Sequence, residues 1–447
     1  MPDRQASSYL QNHQTFKYLH LTANSMKIIA DLHLHGRYSQ ATSKNLSIKN
    51  LETYSAYKGT NLLGTGDFTH PKWIEEIKNE LTEDETGILK TKSGFNFVLS
   101  TEISLIYSQA GKGHRIHNIV LAPNLDVVRQ ITEYLLTKGR VDYDGRPIFK
   151  IPCMDFVENL RNISQDIEVI PAHCWTPWFS LFGSMSGFDS VKEAFGDQEK
   201  HIHAIETGLS SDPAMNWRLS QLDKYAIVSF SDAHSYWPWR IGREATVFEL
   251  PKLTYKSLIT ALRTKEGLME TIEFYPEEGK YHYDGHRSCN ICMHPGDSIK
   301  NRKLCPKCGK QMTIGVMHRV EELADRPEGF KPKGAKPFRN VVPLAELICA
   351  AANIKVASKK MWEVYSPLIK QFGNEFNLIF DAPEEDLTKY TDEKLKNLIL
   401  LNRSGNIKMK PGYDGVYGEM ILDKEGEKKQ ETQSYTPKVV QKGLEEF

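Results

Sequence analysis

The chain has 447 residues, 57 basic against 57 acidic residues, and 40% hydrophobic residues. This length exceeds one ordinary domain and fits a barrel of roughly 250 residues with appended modules. The zero net charge excludes a polycation. No apolar run approaches the ~20 residues that a membrane helix needs, so a membrane partner is not expected.

The first 25 residues are polar and lack the layout of a signal peptide, so we expect a disordered extension over 1–25. Met26 stands directly before the first apolar run and is a candidate start. From there to about residue 285, apolar runs alternate with amphipathic stretches, which predicts an α/β domain over 26–285. Seven such units favour a closed or nearly closed barrel of mainly parallel strands. The seven runs are Ile28–Leu32, Asn61–Gly64, Phe95–Leu99, Ile119–Ala122, Glu168–Pro171, His203–Ile205 and Ala226–Phe230.

Each run has a metal-ligand residue type at or beside its end. Strand ends converge in a barrel, so these side chains are expected at one site. The sequence offers nine such residues, and all are nitrogen or oxygen donors that suit Zn, Mn or Fe. Nine donors are more than one metal ion can bind. We therefore expect two or three metals with a bridging carboxylate. The nine are His33, His35, Asp67, His70, Glu102, His117, His173, Asp232 and His234.

Two pairs of these residues have a spacing with a direct geometric meaning. His33 and His35 are two apart on an extended chain and therefore point to the same side, as do Asp232 and His234. Glu206 ends its own run and has two interpretations. It either orients a ligand histidine from behind, or caps the following helix together with Asp212.

These residues resemble the polymerase and histidinol phosphatase (PHP) family, over about residues 26–240. The resemblance implies a distorted (β/α)7 barrel with a multi-metal centre for phosphoester hydrolysis. It makes His33, His35, Glu102 and Asp232 metal ligands, with Glu102 as the bridge, and His117 and His173 a second pair. Asp67, His70 and His234 would then serve a third metal or the catalytic water, and Asp232 and His234 are candidates for bridging and proton transfer. Many family members have His where this chain has Phe68, so His70 has to substitute.

A cysteine-rich module is predicted over 286–324. Cys289 and Cys292 form one Cys-x-x-Cys pair, and Cys305 and Cys308 form a second one twelve residues later. This spacing is typical of a structural zinc site with four thiolates. Without a secretory signal, metal binding is favoured over disulfides.

Basic residues concentrate around this module. The chain carries 30 basic and 35 acidic residues up to 285, then 27 and 22. Residues 300–340, which include a predicted linker over 325–340, hold 11 basic and 4 acidic residues. This charge suits a polyanion such as DNA, or equally a solubilising loop. The candidate phosphate contacts are Lys303 and Lys307.

Aromatic residues follow two of the metal motifs. They suit either stacking on a nucleobase or a hydrophobic lid. The candidates for contact with DNA are Trp175, Trp178, Phe179, Tyr236 and Trp237.

The whole arrangement resembles endonuclease Q, a group of DNA repair nucleases, over nearly all of 26–422. The resemblance rests on the five segments Asp31–Ser39, Gly64–Pro71, Ile205–Pro213, Ser231–Ser235 and Pro411–Gly418. It implies cleavage 5′ of uracil, hypoxanthine, xanthine and abasic sites, leaving 3′-hydroxyl and 5′-phosphate ends. We accordingly expect a monomeric, cytoplasmic, nucleoid-associated enzyme. The expected metals are Zn²⁺ in the barrel, with Mn²⁺ or Mg²⁺ as alternatives in activity, and one structural Zn²⁺.

The rest of the chain is predicted to be a helical and hairpin DNA-binding region over 341–422 and a flexible tail over 423–447. The tail ends in Gln441, Leu444 and Phe447, a spacing that resembles sliding-clamp docking peptides. Two rival functions remain open at this stage. One is a phosphomonoesterase like the histidinol phosphatases, and the other is a non-catalytic platform that binds DNA or a clamp.

Overall fold

The computed structural model describes residues 25–422. Residues 1–24 and 423–447 lie outside this range. The predicted N-terminal extension up to residue 24, the predicted tail, and the docking peptide with Gln441, Leu444 and Phe447 are therefore outside the described residues. They stay predictions.

The first 275 residues contain most of the strands. These are β1 Met26–Asp31, β2 Leu62–Gly64, β3 Thr82–Glu83, β4 Leu89–Lys90, β5 Asn96–Gln109, β6 Lys112–Ala122, β7 Ile148–Phe149, β8 Glu168–Pro171, β9 Ala204–Glu206, β10 Ala226–Val228, β11 Ala245–Leu250 and β12 Leu268–Glu273. The helices between them are α1 Ile48–Lys58, α2 Pro71–Glu80, α3 Leu125–Leu136, α4 Cys153–Ile163, α5 Val191–Phe195, α6 Pro213–Asn216 and α7 Tyr255–Thr264.

Seven of these strands form a ring that corresponds to the seven apolar runs. Strands β1, β2 and β5 pair in parallel, β6 pairs antiparallel with β5 and β8, and β9 pairs in parallel with β10. The amide of Cys174 donates to the Glu206 carbonyl at 3.0 Å, which joins β8 to β9. A parallel bridge between Leu34 and Ala233 closes the ring between the ends of β10 and β1. The expected seven-stranded α/β barrel is thus confirmed, with one reversed strand.

The reversal of β6 has a direct consequence for the site. His117 precedes its apolar run, whereas the other predicted ligands follow theirs. On an antiparallel strand the beginning of the run faces the same rim as the ends of its parallel neighbours. The reversed direction therefore brings His117 to the rim.

The sheet extends beyond the ring. Strand β11 pairs antiparallel with β1, and β12 pairs antiparallel with β11. Neither strand corresponds to one of the seven apolar runs. The short helix α6 is followed by a separate 3₁₀ turn, Ser220–Leu222.

The cysteine-rich region contains β13 Asp284–His286, β14 Ile291–Met293, α8 Pro295–Lys300, α9 Val316–Leu323 and β15 Phe338–Asn340. Val316, Met317 and Val320 of α9 join the hydrophobic core of the barrel. Strand β15 ends the predicted linker and pairs in parallel with β12, so this part of the linker belongs to the sheet.

The C-terminal region is mainly helical, as expected. It contains α10 Leu344–Ala352, α11 Lys359–Phe372, a π-helical turn Asn377–Asp381, α12 Glu384–Tyr390, α13 Glu393–Arg403 and a hairpin of β16 Met409–Lys410 with β17 Glu419–Met420. Its helices share a core with Val247 and Ile272 of the barrel sheet. The Lys58 ammonium and the Glu375 carboxylate, both buried, pair at 2.6 Å across this contact. Among the described residues, no helix is long and apolar enough to cross a membrane.

Candidate metal centre

One group of ligand atoms lies at the barrel rim, on β5 and on the segments that follow β1 and β10. It consists of His33, His35, Glu102 and Asp232, whose ligand atoms lie within 4.8 Å of one another. The Nε2 of His35 lies 3.0 Å from Asp232 Oδ1 and 3.2 Å from Glu102 Oε2. Four donors around one point suit a zinc-type ion.

A second group shares one residue with the first. His117, His173 and Glu102 place their ligand atoms within the same 4.8 Å of one another. Glu102 Oε1 lies 2.7 Å from His117 Nδ1 and 3.0 Å from His173 Nε2. Glu102 thus presents Oε1 to the second group and Oε2 to the first. This is the arrangement expected of a carboxylate that bridges two metals.

Two more carboxylates hold the first pair of histidines from behind. His33 Nδ1 donates to Glu206 at 2.9 Å, and His35 Nδ1 donates to Asp67 at 3.1 Å. A carboxylate on the far nitrogen fixes the tautomer and orientation of a ligand imidazole and leaves Nε2 for the metal. The orienting interpretation of Glu206 is therefore favoured. Asp212 caps α6 through Met215 instead.

Asp67 lies behind the ligands rather than among them. Its Oδ2 accepts from the Gly36 amide at 2.6 Å and from the Ser39 hydroxyl at 2.8 Å, while Oδ1 faces His35. The geometry therefore does not support the predicted role of Asp67 as a direct ligand and catalytic group. Its lone pairs are used by the protein, and its effect on a metal passes through His35.

The residues present fit bound metal ions. His33 Nε2 is buried and makes no hydrogen bond within the described residues. It lies 3.7 Å from Glu102 Oε2 and 3.6 Å from Asp232 Oδ1, distances that leave room for an ion between these atoms. A buried nitrogen without a partner is costly unless something binds there.

The backbone at three strand ends is strained. Asp67, His173 and Asp232 adopt left-handed φ values of 46°, 30° and 48°. Non-glycine residues rarely occupy this region, and where they do the surrounding structure holds them there, often at functional sites. Gly208 lies so close that a Cβ on it would meet His173 Cβ at 2.4 Å. A side chain at position 208 would displace His173.

The electrostatics of the rim combine burial with paired charge. Burial by itself raises the pKa of Glu102, but His117, Arg146 and His33 outweigh it and hold this pKa well below its ordinary value. Burial by itself lowers the pKa of His33, but Glu206, Asp232 and Glu102 raise it well above the ordinary value. Buried carboxylates that stay ionised at neutral pH are ready to bind a cation.

Arg146 also lies at this rim, although no pattern in the sequence indicates it. Its Nη1 lies 3.1 Å from Glu102 Oε2, and its side chain is 27% exposed. It lies in the loop between α3 and α4, with no apolar run beside it to mark it.

Two predicted ligands lie apart from both groups. The ring of His70 stacks on Tyr38 with 4.7 Å between centroids, and burial lowers the pKa of His70. His234 lies beside the first group, with its ring 4.3 Å from that of His35. The structure therefore gathers six of the nine predicted donors into two shared groups and leaves a third metal position without a closed ligand set.

The aromatic candidates for DNA contact divide by burial. Trp175 is buried and donates its Nε1 to Asn216 Oδ1 at 2.9 Å, and Tyr236 is buried against Tyr54. Neither ring is exposed for stacking on a base, so the structure does not support these two predictions. Trp237 packs in parallel on Trp239 at 5.1 Å.

Trp178 is 42% exposed and lies in a surface groove. It meets Tyr281 edge-on at 6.1 Å, and Lys280 Nζ lies 5.7 Å from the Tyr281 ring and 5.8 Å from the Tyr417 ring. Thr176 also lines this groove, and its Oγ1 lies 3.2 Å from His173 Nδ1. The groove therefore lies beside the metal rim.

The remaining candidates have mixed positions. Phe179 is half-buried with its ring 4.7 Å from that of His117. Lys303 pairs with Glu322 at 3.0 Å, whereas Lys307 is exposed.

The cysteine-rich region forms a metal-binding group of its own. Cys289, Cys305 and Cys308 come together as predicted, and the fourth member of the group is His286. Cys292 lies outside it, with its Sγ 3.9 Å from the Pro411 carbonyl oxygen. Its predicted role as a zinc ligand is not supported by this geometry. The sequence signal for His286 was its position three residues before Cys289.

Known proteins resemble this chain in sequence. A family model described as the MJ0043 C-terminal domain matches residues 343–406. The uncharacterised protein MJ0043 of Methanocaldococcus jannaschii is 31% identical over 292 residues, which cover 63% of this chain and 35% of that protein. The chain thus spans about a third of that relative. The uncharacterised protein YqxK of Bacillus subtilis is 30% identical over 413 residues, which cover 88% of this chain and 99% of that protein.

Solved structures resemble it as well. The crystal structure of the lesion-specific endonuclease PfuEndoQ from Pyrococcus furiosus matches with a TM-score of 0.79 and 30% identity, over 88% of this chain and 95% of that one. A structure of endonuclease Q with a 27-mer duplex substrate, which has an abasic lesion at the active site, also matches with a TM-score of 0.79 and 30% identity, over 90% and 98%.

Proposed function

The chain belongs to the endonuclease Q family, and from that premise we propose that it is a metal-dependent DNA repair endonuclease. It cleaves the phosphodiester 5′ of uracil, hypoxanthine, xanthine and abasic sites, leaving 3′-hydroxyl and 5′-phosphate ends. The observation that carries this proposal is the pair of ligand groups that share Glu102 at the barrel rim. Paired divalent ions of this kind supply Lewis acidity and activate water in phosphoester hydrolysis.

The chain's own residues would hold the ions and orient the ligand side chains. Glu102 directs one oxygen to each group, and Glu206 and Asp67 fix the imidazoles of His33 and His35. Each orienting carboxylate accepts the Nδ1 proton of its imidazole, which fixes the tautomer and leaves Nε2 pointed at the ion.

The opening of the site suits a phosphate. Asp232 and His234 line a pocket together with Arg240 and Arg243. Two guanidinium groups match the charge and geometry of a phosphodiester. Burial lowers the pKa of His234, so its imidazole is neutral near pH 7 and able to accept a proton at this opening.

The groove around Trp178 suits the lesion strand. The exposed rings of Trp178 and Tyr417 offer stacking surface, and the Lys280 ammonium beside Tyr417 offers positive charge. Base stacking on such side chains contributes about 1–3 kcal/mol per base. A flipped nucleotide next to the metal rim is expected to contact this groove.

The proposed metals are Zn²⁺ in the barrel, with Mn²⁺ or Mg²⁺ as alternatives during turnover, and one structural Zn²⁺. The terminal peptide with Gln441, Leu444 and Phe447 is proposed to tether the enzyme to a sliding clamp, and nucleoid association would follow from DNA binding. Removing residues 441–447 should leave cleavage of naked DNA unchanged and abolish any binding to the clamp.

Incubation of the protein with end-labelled duplexes tests the activity. The duplexes carry a single uracil, hypoxanthine, xanthine or abasic site, and an undamaged duplex of the same sequence is the control. We expect one cut 5′ of each lesion, no cut in the control, and loss of cleavage with chelator. Hydrolysis of a phosphomonoester without any lesion cleavage would favour the phosphatase instead, and binding without either reaction the non-catalytic platform.

A further inference from the structure

The turn between β13 and β14 and the loop at Cys305–Cys308 bring four side chains to one point. The Nδ1 of His286 lies 3.4 Å from Cys308 Sγ, and Cys289 and Cys305 complete a group whose ligand atoms lie within 4.8 Å of one another. Sulfur and nitrogen donors at such separations match a tetrahedral zinc ion, with Zn–S of about 2.3 Å and Zn–N of about 2.0 Å. The site therefore fits three thiolates and one imidazole.

The register of the hairpin explains why Cys292 does not complete this group. Cys292 pairs with Gly285, and Ile291 pairs with His286. Directly opposed residues share a face of a two-stranded sheet, and successive residues alternate between faces. Cys292 and His286 consequently project from opposite faces, and one ion cannot bind both.

The face that carries Cys292 lies beside the C-terminal hairpin, while the Cys292 side chain itself is exposed. A Cβ on Gly285 would lie 2.3 Å from Tyr413 Cδ2, and Cys292 Sγ itself lies 3.9 Å from the Pro411 carbonyl oxygen. Both contacts come from the segment between β16 and β17. The thiol of Cys292 therefore packs against this C-terminal hairpin, away from the ligand group.

We propose that the structural zinc of this protein is bound by His286, Cys289, Cys305 and Cys308, and that Cys292 is a free thiol. The ligand pattern is then His-x₂-Cys followed by Cys-x₂-Cys, in place of the four-cysteine pattern that the spacing suggests.

This assignment also connects the zinc to the C-terminal hairpin. The Arg287 amide donates to Asp414 Oδ2 at 2.6 Å, Thr313 Oγ1 donates to Asp414 Oδ1 at 2.6 Å, and the Tyr413 hydroxyl donates to Asn290 Oδ1 at 2.8 Å. Arg287 and Asn290 directly follow two of the ligands. An ion that fixes His286 and Cys289 thereby holds the hairpin as well.

Cobalt substitution of the full-length protein tests the ligand set. Absorption from thiolate-to-cobalt charge transfer reports this site alone, because the barrel groups offer nitrogen and oxygen donors. We expect Cys292→Ser to leave this absorption unchanged, Cys308→Ser to remove about one third of it, and His286→Cys to add about one third.

The opposite pattern would overturn the assignment. If Cys292→Ser removes about one quarter of the absorption while His286→Ala leaves it intact, four cysteines bind the ion. Should the variants fail to fold, cadmium NMR of the wild-type protein still separates the two ligand sets. The cadmium-113 chemical shift and its coupling to histidine protons distinguish three thiolates plus imidazole from four thiolates.

Discussion

The molecule contains two metal-binding regions that are built in different ways. The ligands of the barrel rim run from His33 to Asp232 and are nitrogen and oxygen donors, whereas those of the cysteine-rich turn lie between His286 and Cys308 and are mostly sulfur. Most of the rim is buried and two of its histidines, His33 and His35, are oriented by further carboxylates, whereas Cys308 at the turn is exposed.

The ring of strands and the cysteine-rich turn suit different kinds of metal ion. A ring of strands brings distant residues to a dry rim, where unpaired donors are costly and an ion with open positions can react with substrate. A short turn closes its ligand set locally with sulfur, which suits a structural ion. The two regions should therefore respond differently to substitution.

The largest expected effect separates the two regions outright. Glu102→Ala removes the oxygens that both rim groups share, so both ions lose a ligand at once. We expect cleavage of a uracil duplex to fall on the order of 10³-fold or more. Elemental analysis should show loss of barrel metal while the thiolate-bound ion stays. Glu133→Ala on the exposed face of α3 is the matched control, and equal loss there would remove the special role of Glu102.

A smaller effect is expected for Glu206, which hydrogen-bonds the Nδ1 of the predicted ligand His33. Glu206→Gln removes the charge that orients His33, and such changes typically cost about 10- to 100-fold in metal affinity or activity. Titration of the apo-protein with metal, followed by cleavage assays, measures this. Asp212→Asn is the comparison, because Asn also caps helices well, and it should change neither quantity. Equal effects of both changes would contradict the orienting role.

The groove beside the rim gives the third test. Trp178→Ala removes an exposed ring that is proposed to stack on DNA, so the affinity for a lesion duplex should fall about 10-fold. Metal content should not change, which separates this groove from the rim itself. Leu136→Ala, an exposed apolar residue at the end of α3, is the control in the binding assay. Unchanged affinity in the Trp178 variant would remove the groove from the DNA interface.

The smallest expected effect concerns Glu273, a buried carboxylate whose hydrogen-bond donors are neutral hydroxyl groups. Burial raises the pKa of Glu273 to about 8, although Thr271, Ser229 and Thr207 donate to it. Its protonated form is therefore favoured by the folded state, and its contribution to stability is present below pH 4.5 and lost as the pH rises towards 8.

Replacement of Glu273 by its neutral isostere Gln tests the direction in which stability changes with pH. Compared with wild type, Glu273→Gln should gain on the order of 1 kcal/mol in the free energy of unfolding between pH 5 and pH 7. Chemical denaturation at a series of pH values measures it, with Glu133→Gln as a surface control. A gain that shrinks with rising pH would contradict the raised pKa and remove the contrast with Glu102, whose cationic neighbours lower its pKa.

Local pattern in the sequence determined much of this protein. The seven apolar runs became the seven strands of the ring because alternation of apolar and amphipathic segments reflects burial directly. The nine donors beside these runs include the six that the rim brings together, since strand ends meet at one edge. The helices α1, α2, α3, α4 and α7 followed from their amphipathic spacing.

Tertiary structure alone decided the rest. The reversal of β6, the place of Asp67 behind His35, and the burial of Trp175 depend on which element packs against which, and residue spacing does not contain that information. The same holds at the turn, where the spacing of four cysteines suggests one ligand set and the register of β13 with β14 selects another. Spacing limits which donors can meet, but the face on which each side chain emerges determines which of them do.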